Sequence, residues 1–371
     1  MNKKIQEAAK IIGAAVQEGD RAARGILQGM AIGDSTENYL KEAIATTDML
    51  AAFQLGTREA VLAQYPDAPR VWTKIASRKR LPDFKEYKSR EFMWDKGLLV
   101  DENAGARIVP GALARIPEGT EYPTFSFKTG ETSKQLHKHG ARLPFFWEAV
   151  INGEWEYLGS IPGRLLEFAS QTEEIEAFTQ IADENGPRAD VFTGALAPKS
   201  WDLNLENLSA AKTLVRSRKV NGRAVRVPRF ALVVPPALEE KARQLLSITS
   251  LEVTDVNGTY MTTTANGDIE LVVADVLVDI DNSANVNKTW YLVPVAGNDG
   301  TRTSLSVNFL ERHEAPDLRI SGNTGSYVGG GSVPGLEGSL LNDDCEYRVR
   351  HVVTGAIEHT DALFASVGAE L

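Results

Sequence analysis

The stretch WEAVINGEWEYLGSIPGRLLEFASQTEEIEAFTQIADENGP, residues 147–187, decides how this chain is read. Ser160 is placed to cap a helix, Pro162 falls in its first turn, where a missing N–H costs nothing, and Asn185-Gly186-Pro187 stops it. Between them Ile161, Leu165, Phe168, Ile175, Phe178 and Ala182 recur at helical spacing and share one face. Glu167, Glu173, Glu174, Glu176, Asp183 and Glu184 leave the other face strongly acidic. From Ile161 to Ala182 such a helix is roughly 33 Å long, at about 1.5 Å per residue. A single apolar stripe on so long a helix predicts a spine against which a sheet packs.

Working outward, the 371 residues allow about two or three domains, or one elongated one, with ample core. No apolar run approaches the ~20 residues that span a bilayer. Met1-Asn2-Lys3-Lys4-Ile5 has no secretory apolar core, so synthesis in the cytoplasm and no membrane partner are expected. Cys345 stands alone, which excludes an intrachain disulfide and predicts a buried, inert thiol. The net charge of −10 argues against a protein whose main task is gripping nucleic acid by its phosphates. It leaves room for a container that has nucleic acid on one side.

Before the spine, residues 3–64 read as helical, with Ile5, Ala8, Ala9, Ile12 and Val16 on one stripe. Gly13, Gly19, Gly25, Gly29 and Gly33 weaken that helicity by up to ~1 kcal/mol each, which suits an arm of short helices better than an independent bundle. Residues 70–80 are basic, with Trp72 and Ile75 as apolar anchors, and read as a solvated helix end. Over 101–142 the character changes. Thr124-Phe125-Ser126-Phe127-Lys128 alternates, and Gly130 is expected to turn the chain toward Ser133 and His139. This is a long two-stranded excursion with few apolar residues. An isolated hairpin is marginal in water, so a partner surface is expected. The excursion is also locally basic: Arg107, Arg115, Lys128, Lys134, Lys138 and Arg142.

After the spine, 203–218 reads as a helix and Val220-Asn221-Gly222-Arg223 as an Asn-Gly hairpin turn. Phe230-Ala231-Leu232-Val233-Val234 is a buried strand closed by Pro235-Pro236, followed by a short amphipathic helix over 237–246. Strands are expected at 269–277, 290–295 and 305–310, giving a middle α+β region with its own core. In 346–359, Tyr347, Val349, His351 and Val353 alternate with Arg348, Arg350 and Val352, the pattern of a half-buried strand.

Sites for chemistry are missing. There is no GxxxxGK[ST] phosphate loop, and Gly329-Gly330-Gly331 lacks the following lysine. Ser332 has Pro334 two residues on, which spoils a GxSxG nucleophile elbow. His137 and His139 have no HExxH or Cys–His set to support zinc, and Asp343-Asp344, Asp279 and Asp281 lack the oxygen ligands of a calcium loop. No cofactor, metal or catalytic residue is expected, and the chain does not read as an enzyme.

The order of parts resembles the major capsid proteins of tailed bacteriophages. Residues 150–165, from Val150-Ile151-Asn152-Gly153-Glu154 to Leu165, are similar to the turn into the spine of Mu-like major head subunits. Phe230 to Pro236, with Glu239 and Ala242 to Leu246, resembles that family's axial strand and helix, and Cys345 to Phe364 its closing strands. The family's Asp after the Asn of that turn is Gly153 here. The resemblance implies an α+β, tailed-phage major capsid fold: a helical N-terminal arm (1–83), an extended loop and its base (84–145), a peripheral domain with the spine helix (146–200), an inserted axial domain (201–334), and a return to the peripheral domain (335–371). It further implies self-assembly as hexamers and pentamers into an icosahedral virion shell around double-stranded DNA held without sequence specificity. Portal and scaffolding proteins are the other expected partners, the scaffold separate because the N-terminal segment is shorter than the scaffolding domain some relatives carry. Charge complementarity then predicts inter-subunit contacts between Arg107, Arg115, Lys128 or Lys134 of one loop and Glu173, Glu174, Glu176 and Asp183 on a neighbour's spine. An encapsulin-like shell around protein cargo is the nearest rival, and a hydrolase or ligand-binding module the rival from another class.

Overall fold

The computed structural model describes residues 70–368 except 93–96, 101–106, 111–117, 119–126, 153–154, 221–222, 248–249, 256–257, 264–266, 297–302, 322–325, 327, 331–338 and 340–341. The arm expected over 1–83 lies almost wholly outside the described residues.

A single 3-10 turn, Val71–Lys74, opens the described chain. Strands β1 (Ala76–Leu81), β2 (Tyr87–Phe92), β3 (Gly97–Val100), β4 (Arg107–Pro110), β5 (Phe127–Lys134) and β6 (Lys138–Phe146) follow. Helices α1 (Trp147–Ile151) and α2 (Trp155–Phe178) lead to the two-residue strands β7 (Ala182–Asp183) and β8 (Gly186–Pro187). Then come α3 (Leu205–Ser217), β9 (Lys219–Val220), β10 (Arg223–Ala224), β11 (Phe230–Val234) and α4 (Glu239–Ser247). The rest is β12 (Ser250–Asp255), β13 (Gly258–Thr263), β14 (Ile269–Val273), α5 (Val276–Ile280), β15 (Trp290–Pro294), β16 (Leu305–Leu310), β17 (Asp317–Ser321), β18 (Asp344–Ile357) and β19 (Phe364–Ser366).

These elements form two units. One joins Lys138–Thr172 to Arg312–Val352. In it β18 lies between β6 and β17, antiparallel to both, so that Tyr347 pairs with Leu143 on one side and Ile320 on the other. Alternation sends Cys345, Tyr347 and Val349 to one face. There they pack with Phe145 and with Leu158, Ile161, Leu165 and Ala169 of α2. Burial of each large side chain stabilises the unit by roughly 1.5–3 kcal/mol. The spine does carry a sheet.

The other unit joins Arg70–His137, Glu173–Glu311 and Val353–Leu371. Its sheet has the order β14-β11-β15-β19, with β11 parallel to β14 and antiparallel to β15. All five residues of β11 are buried, because both faces of the sheet are covered. Leu208, Ala211 and Val215 of α3 and Ala242 of α4 cover Phe230, Leu232 and Val234. Ala231 and Val233 face a second core with Trp72, Phe178, Ile181, Val307 and Phe309. There β1 runs parallel to β16, and β16 pairs with the last residues of β18. Asn204 caps α3 by accepting the Asn207 N–H at 2.7 Å.

Several expectations are corrected. Helix α2 begins at Trp155, before Ser160, so Pro162 sits inside it and leaves the Leu158 carbonyl without its helical donor. The helix ends at Phe178, and Ala182 lies in β7. Phe168 and Ile175 are exposed, whereas Glu173 is wholly buried. The reason is geometric. Residues four apart advance about 40° beyond a full turn, so the buried line Ile161, Leu165, Ala169, Glu173, Ala177 winds around the helix instead of running straight. Residues 76–81 are a strand, not a helix end, and Arg78, Lys79 and Arg80 are outward positions on it. Gly130 does not turn the chain. It lies within β5, which pairs antiparallel with β2, in a register shift between Lys88↔Ser133 and Arg90↔Thr129. The pair β3–β4 makes up a further part of the excursion. The middle region is not self-contained: β19, from the segment expected to return elsewhere, completes its sheet.

Candidate functional site

Arg70 to Trp72, where the described chain begins, is fixed to α2 by two adjacent carboxylates. Glu173 accepts from Arg70 Nε at 3.0 Å and from Trp72 Nε1 at 3.2 Å. Glu174 accepts the backbone N–H of Val71 at 2.6 Å and that of Trp72 at 3.0 Å. A buried carboxylate is tolerated only when donors surround it, and these four donors come from three consecutive residues. Burial pushes the Glu174 carboxyl up to about 7, against the two backbone donors and with the Glu173 charge adding to the rise. One turn further along, Glu176 accepts the Gly355 N–H at 3.0 Å, which pins β18 to the helix.

A second ionic knot closes the base of the excursion. Glu358 is held by Lys134 at the end of β5, by Lys79 of β1 at 2.8 Å and by the Ser306 hydroxyl at 2.5 Å. Burial alone would raise the Glu358 carboxyl, but these three donors outweigh it and bring it to about 2. Asn308 joins the network, donating to the Thr354 carbonyl at 3.3 Å. The excursion is therefore tied to β1 and β16 of its own chain at its root.

The expected contact residues fare differently. Glu173, Glu174 and Glu176 are engaged within the chain, so the acidic outer face expected of the spine does not exist at these positions. Asp183 is half-buried in the β7–β8 turn, where it accepts the Asn185 N–H at 2.8 Å. Lys134 is paired within its own chain, in the Glu358 knot. Arg107 stands in β4 and Lys128 in β5, while Arg115 lies outside the described residues. Sequence reading missed the two knots because Glu173 and Arg70 are 103 residues apart and Lys134 and Glu358 are 224 apart. The buried steps of four leading to Glu173 were the one signal that could have found the first.

Apolar side chains left outside are the second feature. Phe146 is 56% exposed, Phe168 54% and Trp147 39%. Among the described residues no group of three His, Cys, Asp or Glu side chains converges on a metal position. The depression lined by Val71, Lys74, Glu239, Arg243 and Leu271 has one carboxylate, which is paired with Arg243. No helix among the described residues is long and apolar enough to cross a membrane.

No curated protein sequence matches the chain. Among solved structures it is similar to a virus-like particle from Pyrococcus furiosus, at 14% identity and a TM-score of 0.37, over 84% of this chain and 97% of that one. A structure from Gordonia phage Cozz is similar at 11% identity and a TM-score of 0.42, over 79% and 85%. The capsid of a native GTA particle is similar at 11% identity and a TM-score of 0.43, over 81% and 91%. Residues 130–366, well over half of the chain, match the model of the family described as phage capsid protein. That span runs from β5 to β19 and takes in both ionic knots' carboxylates, and on it the chain belongs to the phage capsid protein family.

Proposed function

We propose that the chain is the major shell subunit of a tailed-phage head, of the Mu-like kind, which assembles as hexamers and pentamers into an icosahedral shell around double-stranded DNA. The family match over 130–366 carries this reading. The exposed Phe146, Trp147 and Phe168 support it, since a shell subunit keeps apolar surface that only neighbouring copies cover. A portal and a scaffolding protein complete the assembly. Arg107, Arg115 and Lys128 of the excursion reach a neighbouring subunit. Their acidic partners there lie outside the Glu173–Glu176 stretch, which is used at home.

Electron microscopy of the purified full-length protein tests the reading. Closed shells with five- and six-fold capsomers are expected, and particles isolated from an infected host should hold DNA. A stable monomer at micromolar concentration overturns the reading. Shells filled with a protein cargo in place of DNA would leave the fold and change the function to that of an encapsulin-like compartment.

A further inference from the structure

The face of the β6–β18–β17 sheet that points away from α2 gathers arginines from three strands. Residues alternate across this sheet, so with Cys345, Tyr347 and Val349 turned inward, Glu346, Arg348 and Arg350 are turned outward. Register does the rest. Arg348 stands opposite Arg142 of β6 and Arg319 of β17, which makes a row of three arginines across three strands about 4.8 Å apart. Arg350 stands in the next row, beside Asp317 and Gly140.

Two carboxylates serve these four guanidinium groups. Asp317 lies 3.0 Å from Arg319 Nε, 2.7 Å from Arg350 and 3.7 Å from Arg348. Glu346 lies 3.2 Å from Arg142. Lys138 and Asp344, at opposite ends of the face, cancel. Four positive charges less two negative leave a surplus of two on a chain whose net charge is −10. The arginines remain accessible: side-chain exposure is 70% for Arg142, 61% for Arg319, 43% for Arg348 and 36% for Arg350.

We propose that this arginine row binds the phosphate backbone of double-stranded nucleic acid, and that it is the face the subunit turns toward the packaged DNA. This rests on the reading of the chain as a subunit of a DNA-filled shell. The chemistry favours phosphate over an acidic protein segment. Protein interfaces are built around apolar and aromatic anchors with charge at the rim. The three central rows here carry Gly140, Arg350 and Asp317, then Arg142, Arg348 and Arg319, then Pro144, Glu346 and Ser321. The exposed Phe146, opposite Asp344, stands at the end of the same face, beyond these rows, so the apolar anchor is at the margin and the charge at the centre, the reverse of a protein interface. Arginine presents a planar fork that matches phosphate oxygens two at a time. Nothing in the row addresses a base edge, so binding is blind to sequence.

The test is fluorescence anisotropy of a short labelled DNA duplex of mixed sequence against the full-length protein over a range of salt, with electron microscopy of the same preparations. Arg142→Ser/Arg319→Ser/Arg348→Ser should weaken binding at least about tenfold at low salt and flatten the salt dependence by about 2 to 3 in log–log slope. The same three positions changed to Lys should keep most of that slope. Lys85→Ser/Arg229→Ser/Arg243→Ser removes equal charge elsewhere and should bind like the parent. If the triple serine variant does not fold, Arg142→Ser/Arg319→Ser, on the flanking strands, takes its place and should flatten the slope by about 2. Binding unchanged in the arginine variant, or lost equally in the control, overturns the proposal, as does a parent that does not bind. DNA binding retained with assembly lost overturns it in favour of another copy of this chain. Arginine-dependent binding by a protein that forms no shells would sink the functional reading and leave the inference standing. Shells whose DNA binding ignores the row would do the reverse.

Discussion

At the scale of single residues, the molecule depends on carboxylates that composition would place on its surface. Glu173 is wholly buried and satisfies Arg70 Nε and Trp72 Nε1. Glu173→Ala removes the carboxylate that Arg70 Nε and Trp72 Nε1 share in a dry site, and removing one member of a buried pair costs about 3–5 kcal/mol. Chemical denaturation of the variant should register a loss of that order, and a loss under about 1 kcal/mol would mean that water reaches the site. Glu174 and Glu358 give opposite pH signatures. The folded chain holds the Glu174 proton up to about 7, above the ordinary 4.5, so its contribution is full below 4.5 and is lost as pH rises through 7. Glu358 is brought down to about 2, so its contribution is present above 4.5 and is lost as pH falls through 2. Melting temperatures measured from pH 5 to 8 should decline less in Glu174→Gln than in the parent. Parallel curves would show that Glu174 does not titrate in that window.

At the scale of elements, close approach sets the limits. Gly355 of β18 lies so near α2 that a Cβ there would overlap the Glu176 carbonyl, a backbone atom that cannot swing aside. Gly355→Ala should therefore cost upward of about 3 kcal/mol, beyond ordinary overpacking, or prevent folding. Gly194, at φ +55° with nothing near it, should tolerate Ala for about 1–2 kcal/mol. Equal melting points for the two variants would refute the proposed contact. Elements of this kind also explain what the sequence could reveal. The strands at 230–234, 290–294, 305–310 and 344–357 were legible because apolar runs and strict alternation are local signals. The pairing of β9 with β10 was legible for the same reason, while Asn221 and Gly222 between them lie outside the described residues. The spine was found but its ends and its face were not, since Pro162 is a first-turn residue by preference and an interior one here. Strand β1 was misread because its Arg-Lys-Arg core looks solvated, whereas its pairing partner β16 is more than 200 residues away. The arginine row had no local signature at all: it exists only once register brings 142, 348 and 319 together.

At the scale of the whole molecule, the question is which surfaces the fold uses for itself and which it leaves for other copies. A fragment spanning 201–334 lacks β19 and the core partners Trp72, Phe178 and Ile181, so alone it should melt without cooperativity. A sharp two-state transition would show that the remaining three strands suffice. The apolar surplus gives the opposite experiment. Phe146, Trp147 and Phe168 contribute little to the folded monomer, because exposed side chains seldom matter by more than about 0.5 kcal/mol. Covered by a neighbour, each large side chain contributes roughly 1.5–3 kcal/mol, and a closed shell repeats that contribution in every subunit. Phe146→Ser/Phe168→Ser should therefore melt within a few degrees of the parent, since about 1 kcal/mol shifts a chain of this size by only ~2–4 °C. In sedimentation and electron microscopy the same variant should remain as small particles at concentrations where the parent forms shells. Addition of salt should not rescue it, because the missing term is apolar burial and not a screened charge contact. Normal shells from the double variant would mean that these rings face solvent in the assembly, and that the excursion and its basic residues hold neighbouring subunits together without them.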